Sequence, residues 1–349
     1  MRINRIYLIS CFCLILSLVA GCAGGTEPTT TPTGPLTEVT LQLNWIHSPQ
    51  FGGFYMAHEL GYYAEEGIEV IFQEGGFVVD FQEVAMMKAG ELDFAVIGMP
   101  QKYNLIGNEV GGNDTIATAA FFQIAPQVLL TLKDSNIRNP REMIGRRVAI
   151  KNKGWQNRIH ATLLNAGVDP STIVEVEVEN NSNEVLYDGT VDVWSGFASE
   201  EVVTAQLDGY DLNVIYVADY AGGVVGSYSG MLVSYQPLFE QDPELVNAFT
   251  RASIRGWQYF IENPGEAVDI LQTWDPEQTR EYHEVALHKL TPLVDTGQEP
   301  IGWLNAERWE REVGEQHDHD NPAYTLDGLL TLPEYAAWYR ENVDHSEED

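Results

Sequence analysis

The chain has 349 residues, of which 44% are hydrophobic, and its 52 acidic and 19 basic side chains give a formal net charge of −33. This charge excludes nucleic acids and other polyanions as favoured partners, because phosphate binding needs clustered cations. A chain of this length exceeds the ~250–300 residues at which single hydrophobic cores stop growing, so two lobes are expected.

The N-terminal segment predicts a secretory leader. Arg2 and Arg5 precede an apolar run over residues 6–20, which is shorter than the ~20 residues that a membrane-spanning helix needs. Cys22 follows small residues at the position of a cleavage site, and this layout resembles the bacterial lipobox. Residues 1–21 are therefore predicted to be a lipoprotein signal peptide, with Cys22 lipidated and the rest of the chain anchored to the cell membrane, facing the periplasm or the cell exterior.

The remaining composition sets limits on the chemistry. The other two cysteines, Cys11 and Cys13, lie inside the predicted leader, so the mature chain has no disulfide framework and no thiolate metal site. Residues 22–37 are rich in Thr, Pro and Gly, which is typical of a flexible tether. No cofactor and no metal are expected, and we interpret the segment His317–Asp320 as a solvated acidic loop.

The body of the chain alternates short apolar strands with helical patterns, which favours an α/β fold with mainly parallel sheets. Strands are predicted at 39–44, 68–72, 93–97, 115–122, 127–132, 147–150, 173–178, 192–194 and 212–217, and helices at 52–65, 79–88, 140–144 and 156–165. After about residue 235 the pattern is helical, with helices predicted at 243–263, 265–272, 276–290 and 305–312. We expect these late helices to pack on a lobe that the earlier strands build.

Aromatic and polar residues follow the predicted strands, and open α/β sheets bind ligands beyond the carboxyl ends of their strands. The candidate ligand-binding residues are Trp45, Phe51, Gly98, Gln101, Phe122, Gln123, Trp155, Phe197, Glu201 and Tyr228. Each glutamine could offer a donor and an acceptor to a ring edge. The residues alone leave plainer roles open, since a tryptophan also suits the edge of a core and a glutamate also suits the surface of so acidic a chain.

Several motifs resemble the thiamine-pyrimidine-precursor family of ABC-transporter substrate-binding proteins. They are Leu43-Asn44-Trp45, the stretches 49–55 and 61–70, Gly90-Glu91-Leu92-Asp93-Phe94, and the stretches 132–135, 209–214, 242–246, 255–257 and 262–267. The resemblance covers about residues 38–312. It implies a two-lobed α/β fold like that of type II periplasmic binding proteins, with a hinged cleft between lobe 1 (38–127 plus 222–349) and lobe 2 (128–221).

The resemblance also implies a function. A monomeric receptor would capture a small-molecule solute in the cleft and deliver it to an ABC permease with its ATPase, touching the membrane only through its lipid anchor. In this family the aromatic residue after the first strand helps to hold the ligand ring, and here that residue is Trp45. Glu201 matches the glutamate of the family pattern Gly-Tyr-x-x-Asn-Glu-Pro, whereas Glu200 and Val202 depart from it.

The predicted ligand is a thiamine pyrimidine precursor, with riboflavin as the nearest alternative. A sulfonate or nitrate ligand stays open, because Lys151, Lys153 and Arg158 lie near one strand end. An enzyme is disfavoured: fungal pyrimidine-precursor synthases resemble this fold, but their lysine and histidine fall at Ile97 and Gln101 here, and residues 226–230 lack their cysteines. A surface sensor module is a further alternative.

Overall fold

The computed structural model describes residues 34–76, 83–98, 115–179, 182–221, 228–313 and 324–343. The predicted leader with Cys22 lies outside these residues, as do most of the tether, Gln101 and the segment His317–Asp320. Within the described ranges, no helix is both long and apolar enough to cross a bilayer. The same ranges contain no group of three or more His, Cys, Asp or Glu side chains placed to hold a metal ion.

The described strands form three sheets. The first has the order β2-β1-β3-β10-β4, the second the order β8-β5-β9, and the third pairs β6 with β7. Their bounds are β1 Thr37–Gln42, β2 Ile68–Gln73, β3 Phe94–Ile97, β4 Thr115–Phe122, β5 Gln127–Leu132, β6 Arg147–Ile150, β7 Val174–Glu177, β8 Trp194–Phe197, β9 Leu212–Tyr216 and β10 Ser229–Tyr235. The first sheet thus combines strands from the start of the chain with one strand from beyond residue 228.

The prediction of mainly parallel sheets is wrong. β1 runs parallel to β2 and β3, and β6 runs parallel to β7. β10, which the sequence did not reveal as a strand, lies antiparallel between β3 and β4, and β5 is antiparallel to both β8 and β9. The alternation of strands and helices does not fix the direction of a strand that joins a sheet more than 100 residues after its neighbours. The antiparallel β10 therefore makes the first sheet mixed.

The helices follow the predicted pattern with shifted bounds. The predicted helix 52–65 is interrupted at Gly61, whose φ of +76° ends one helix and starts the next. The predicted helix 140–144 is a 3₁₀ turn, Pro140–Met143. The helices of the described ranges are α1 Gly52–Glu59, α2 Tyr62–Glu65, α3 Glu83–Ala89, α4 Lys153–Asn165, α5 Glu184–Tyr187, α6 Glu201–Leu207, α7 Gln236–Gln241, α8 Pro243–Glu262, α9 Pro264–Trp274, α10 Arg280–Val294, α11 Ala306–Val313, α12 Asp327–Leu330 and α13 Pro333–Asn342.

The long helix α8 anchors the late helices on the first sheet, as the sequence predicted. Asp242 caps its N-terminus by accepting a hydrogen bond of 3.1 Å from the Leu245 N–H, and Pro243 occupies the first turn. The Trp257 ring on its buried face stacks on Phe121 of β4, with centroids 5.1 Å apart. α10 also contacts α6 through the buried Val203, Tyr282 and Ala286. The late helices therefore contact the first sheet, which we call the first group of strands, and a helix that follows the second group, which is β5 to β9 of the other two sheets.

Helices α1 and α8 approach so closely that glycine is needed at the contact. A Cβ added to Gly256 would lie 2.1 Å from the Gly53 carbonyl oxygen and 2.7 Å from the Ala57 Cβ. Gly256→Ala is therefore expected to lower the free energy of unfolding by at least ~1–3 kcal/mol, the usual cost of overpacking, measured as a lower midpoint in urea. Gly265→Ala is the control, since no heavy atom lies within 4 Å of its added Cβ and a helical alanine stabilises. Equal midpoints for the two variants would contradict the close contact.

Candidate ligand-binding site

Trp45 lies just beyond β1, at the carboxyl end of a strand inside the first sheet. Its side chain is half-buried and packs at the edge of the main hydrophobic core. Its carbonyl oxygen accepts a 3.0 Å hydrogen bond from the Gly75 N–H. A Cβ at Gly75 would come within 2.2 Å of the Leu43 carbonyl oxygen, so this glycine allows the strand ends after β1 and β2 to lie together and fixes the backbone of Trp45.

The segment after Trp45 contacts the chain after β8 through a hydrogen bond between Gln50 and Glu200. The Gln50 side-chain amide donates to the Glu200 Oε1 at 3.0 Å and to the Ser48 hydroxyl at 3.2 Å. Gln50 and Ser48 are both buried. Glu200 directly precedes α6, so these contacts join the chain after β1 to the chain after β8.

Beside Glu200 lies a buried ion pair. The Lys151 Nζ, just beyond β6, is 2.9 Å from the Glu201 Oε1, and the two side chains are only 8% and 11% exposed. The Glu201 Oε2 accepts a 2.8 Å hydrogen bond from the Phe197 N–H. The Lys151 ammonium also lies 3.9 Å from the ring centroid of the buried Trp194.

Gly196 makes room for this arrangement. A Cβ at this position in β8 would lie 2.4 Å from the Glu201 carboxyl carbon. The Glu201 side chain therefore folds back over the end of its own preceding strand, where it meets both Lys151 and the Phe197 N–H. The sequence Gly196-Phe197 followed four residues later by Glu201 is the local reason for the position of the carboxylate.

Burial shifts the pKa values of the ionisable groups in this cluster. It lowers the pKa of Lys151, against the attraction of Glu201. Burial, followed by the repulsion of Glu201, raises the pKa of Glu200 to about 8. Burial also raises the pKa of nearby Asp275 to about 6. At neutral pH the Glu200 carboxyl is therefore mostly neutral, and it lies beside the ion pair of Lys151 with Glu201.

A cavity of about 330 Å³ opens against the two glutamates, which is the size of a small-ligand pocket. Asn183 lines it and donates from its amide to the Tyr187 hydroxyl at 3.1 Å and to the Glu201 carbonyl oxygen at 2.8 Å. Its buried Oδ1 accepts no hydrogen bond from the residues that the structure describes. The lining residues are Ser182, Asn183, Glu184, Tyr187, Glu200, Glu201, Thr204 and Asp208.

Three of the aromatic candidates lie inside the core. Phe51, Phe122 and Tyr228 are at most 2% exposed. Phe122 packs edge-on against Trp257, and the Tyr228 hydroxyl accepts a 2.8 Å hydrogen bond from the Asn305 N–H. A direct role in ligand binding stays a prediction for these residues, whose side chains are buried in the core.

Gln123 is engaged by the protein itself. Its buried side-chain amide donates to the carbonyl oxygens of Ala120 and Trp303, at 3.0 and 2.9 Å, and its Oε1 accepts from Arg308 at 3.1 Å. Arg308 also pairs with the buried Glu312 at 3.1 Å. The Gln123 amide therefore ties β4 to the late helices.

The remaining candidates divide between the two groups of strands. The Gly98 carbonyl oxygen, at the end of β3, accepts from the Ser229 hydroxyl at 2.6 Å and from Gln127 at 3.3 Å. Trp155 and Phe197 are half-buried at strand ends of the second group, and the Arg158 guanidinium lies 4.4 Å from the Trp155 ring centroid. Trp155 and Glu201 thus lie beside Lys151, with Phe197 bound to Glu201, whereas Gln123 and Tyr228 contact Arg308.

Sequence reasoning missed the partners that build the polar cluster. Gln50, Glu200 and Asn183 were not among the candidates, and Lys151 was noted only as a possible anion ligand. Two adjacent glutamates directly after a buried strand were the available signal for Glu200. Nothing in the local sequence indicated Gln50, because its contact to Glu200 joins positions 150 residues apart.

This arrangement of sheets and helices is that of the periplasmic binding proteins. The periplasmic aliphatic sulphonate binding protein SsuA from Escherichia coli has the same fold, with a TM-score of 0.58 and 14% identity over 79% of this chain and 88% of its own. The predicted fold class is confirmed. The lobe boundaries stay a prediction.

The profile of the NMT1/THI5-like family matches residues 48–267, which is more than half of the chain. The chain belongs to this family, as the motifs around Trp45 and Gly90 indicated.

The proteins similar to this chain include a synthase and two binding proteins. The 4-amino-5-hydroxymethyl-2-methylpyrimidine phosphate synthase of Legionella pneumophila is 26% identical over 69% of this chain and 75% of its own. The riboflavin-binding protein RibY of Chloroflexus aurantiacus is 26% identical over 85% and 88%. The formylaminopyrimidine-binding protein of Halalkalibacterium halodurans is 24% identical over 82% and 86%.

Proposed function

We propose that the chain is the solute-binding lipoprotein of an ABC importer and that it captures a small planar nitrogen heterocycle, a thiamine pyrimidine precursor, between its strand ends. Two of the similar proteins are named for binding such rings, riboflavin and formylaminopyrimidine. The half-buried indole of Trp45 can stack on a planar heterocycle, which is worth ~1 kcal/mol beyond the burial of area. Closure around the ligand would be a hinge motion between two states.

The observation that carries the choice of a neutral ring over an anion is the charge balance at the strand ends. The Lys151 ammonium is bound to Glu201 at 2.9 Å, and the Arg308 guanidinium is bound to Glu312 at 3.1 Å. A cation that already faces a carboxylate has little net attraction left for a second anion. For Lys151 this pairing argues against nitrate or a sulfonate, and of the two other basic residues near this strand end Lys153 donates to Gln156 and Arg158 lies over the Trp155 ring.

The same geometry supports a receptor over a synthase. The position at which the resemblance places the synthase lysine is Ile97, a residue of β3 that is 1% exposed. An isoleucine cannot form the Schiff base that holds pyridoxal phosphate. A receptor also fits the predicted lipid anchor at Cys22, because a tether keeps the binding protein at high effective concentration near its permease.

A ligand panel tests this proposal. The full-length chain in detergent is heated with 4-amino-5-hydroxymethyl-2-methylpyrimidine, formylaminopyrimidine, riboflavin, taurine or nitrate, and its unfolding temperature is measured. A ligand at 100 times its Kd stabilises a protein by about 2.7 kcal/mol, so we expect an upward shift of several degrees with a pyrimidine. A shift with riboflavin alone would replace the pyrimidine by a flavin, and a shift with the anions alone would refute the proposal.

A further inference from the structure

Two glutamates face the cavity beside α6, and the structure distinguishes them by what their oxygens already do. The Glu201 Oε1 pairs with Lys151 at 2.9 Å, and its Oε2 accepts the Phe197 N–H at 2.8 Å. The carboxylate that matches the family pattern is therefore occupied on both oxygens. A ligand that used it would first have to compete with a buried ammonium ion.

Glu200 is placed differently. It lines the same cavity of about 330 Å³, and its Oε1 holds the Gln50 amide from the segment after Trp45 at 3.0 Å. The Ser48 hydroxyl is also within its hydrogen-bonding reach. Glu200 therefore lies where the chain after β1 meets the chain after β8, and each of its oxygens keeps further hydrogen-bonding capacity.

We propose that Glu200 is the specificity-determining residue that recognises the amino group and the adjacent ring nitrogen of the heterocycle, an inference that rests on the proposed function. A neutral carboxyl group presents one O–H donor beside one C=O acceptor. The edge of a 4-aminopyrimidine presents the complementary pair, a ring nitrogen that accepts and an amino group that donates. Asn183 lines the same cavity, and its side-chain oxygen accepts no hydrogen bond from the described part of the chain, which leaves it an acceptor for the second amino hydrogen.

The surroundings of Glu200 hold its carboxyl in the neutral form. Burial raises the pKa of Glu200 to about 8, and Glu201 and Asp275 add to the rise because they repel a second negative charge. Lys151 attracts, but its ammonium is already paired with Glu201. Tyr282 of α10 faces the group as well, and burial raises its own pKa far above neutrality, so it stays uncharged. Because the neutral form predominates below pH 8 and is lost above it, recognition through its O–H must weaken as the pH rises through that value.

The experiment compares pH profiles of binding. The Kd for 4-amino-5-hydroxymethyl-2-methylpyrimidine is measured by calorimetry from pH 6.5 to pH 9.5 with the full-length chain and with Glu200→Gln. With the wild type we expect the affinity to fall up to ~10-fold per pH unit above pH 8, the slope for loss of one proton. Glu200→Gln keeps a donor and an acceptor at the same place, so its affinity should stay level over this range.

Two controls isolate the carboxyl group. Glu281→Gln removes an exposed carboxylate of α10 and should leave the wild-type profile unchanged. Glu200→Leu should bind at least ~10-fold more weakly at pH 7, because it removes both hydrogen bonds. Any titration of the ligand itself is common to all the variants, so a difference between profiles belongs to residue 200.

The outcomes separate the two proposals. Binding by the wild type together with a pH-dependent Glu200→Gln, or with a folded Glu200→Gln that does not bind, would overturn the role of Glu200 and leave the proposed function standing. A wild type that binds no aminopyrimidine at any pH would overturn both. Circular dichroism spectra that superimpose with the wild type establish that each variant is folded.

Discussion

Replacing Lys151 by methionine should lower the free energy of unfolding by about 3–5 kcal/mol, the cost of leaving one member of a buried ion pair without its partner. The pair qualifies as buried, because its side chains are 8% and 11% exposed and the ion-pair distance is 2.9 Å. The loss also removes the contact of the ammonium with the Trp194 ring. Chemical unfolding at pH 7, followed by tryptophan fluorescence, measures the change.

Two further variants show whether the loss comes from the unpaired carboxylate. The double variant Lys151→Met with Glu201→Gln should recover most of the stability, since a buried pair can be replaced by uncharged groups at little cost. Lys153→Met, at an exposed lysine two residues away, should change stability by no more than ~0.5 kcal/mol. A double variant as unstable as Lys151→Met would show that packing around the lysine, and not charge pairing, supports this region.

Replacing Trp45 by alanine should weaken ligand binding by at least ~30-fold, because truncating a central aromatic contact costs ~2 kcal/mol or more. The fold should persist, since Trp45 is half-buried at the edge of the core and its backbone is held by Gly75. The measurement is the Kd for whichever ring compound shifts the unfolding temperature in the ligand panel, together with the unfolding midpoint of the variant.

Trp338 provides the matched control. It is also half-buried, but it lies in α13 against Trp303, with ring centroids 4.9 Å apart. Trp338→Ala should reduce stability and leave the Kd unchanged. An unaltered Kd in Trp45→Ala would remove Trp45 from the site and leave the cavity beside Glu200, which Trp45 does not line, as the candidate site.

Local features of the fold could be predicted because their causes are local. Strands 115–122, 127–132 and 147–150 have the predicted bounds, since each is a short run of apolar or β-branched residues between turns. The cap by Asp242 and the buried face of α8 follow from neighbouring residues and the helical repeat. Strand β10 was missed, because its sequence follows a Gly-rich stretch and its partners, β3 and β4, are more than 100 positions earlier.

The site could be predicted only in part. Trp45, Gly98, Trp155, Phe197 and Glu201 lie near strand ends as predicted, because strand ends can be located from the apolar pattern, and their role in binding stays a prediction. The side-chain contacts around the site could not be predicted from the same pattern. The contact of Gln123 with Arg308 joins positions 185 residues apart, and that of Gln50 with Glu200 joins positions 150 residues apart. No period of 2 or 3.6 residues carries information at that distance.

The sequence alone determined that this is an α/β chain of the NMT1/THI5-like family, because alternating elements and family motifs are properties of consecutive residues. The tertiary structure decided the direction of β10, the core positions of Phe51, Phe122 and Tyr228, and the partners of Glu200 and Glu201 beside the cavity. It left Glu201 paired and a half-buried Glu200 beside it, with a pKa of about 8. Charge state depends on burial and on neighbours in space, and both are set only when distant segments meet.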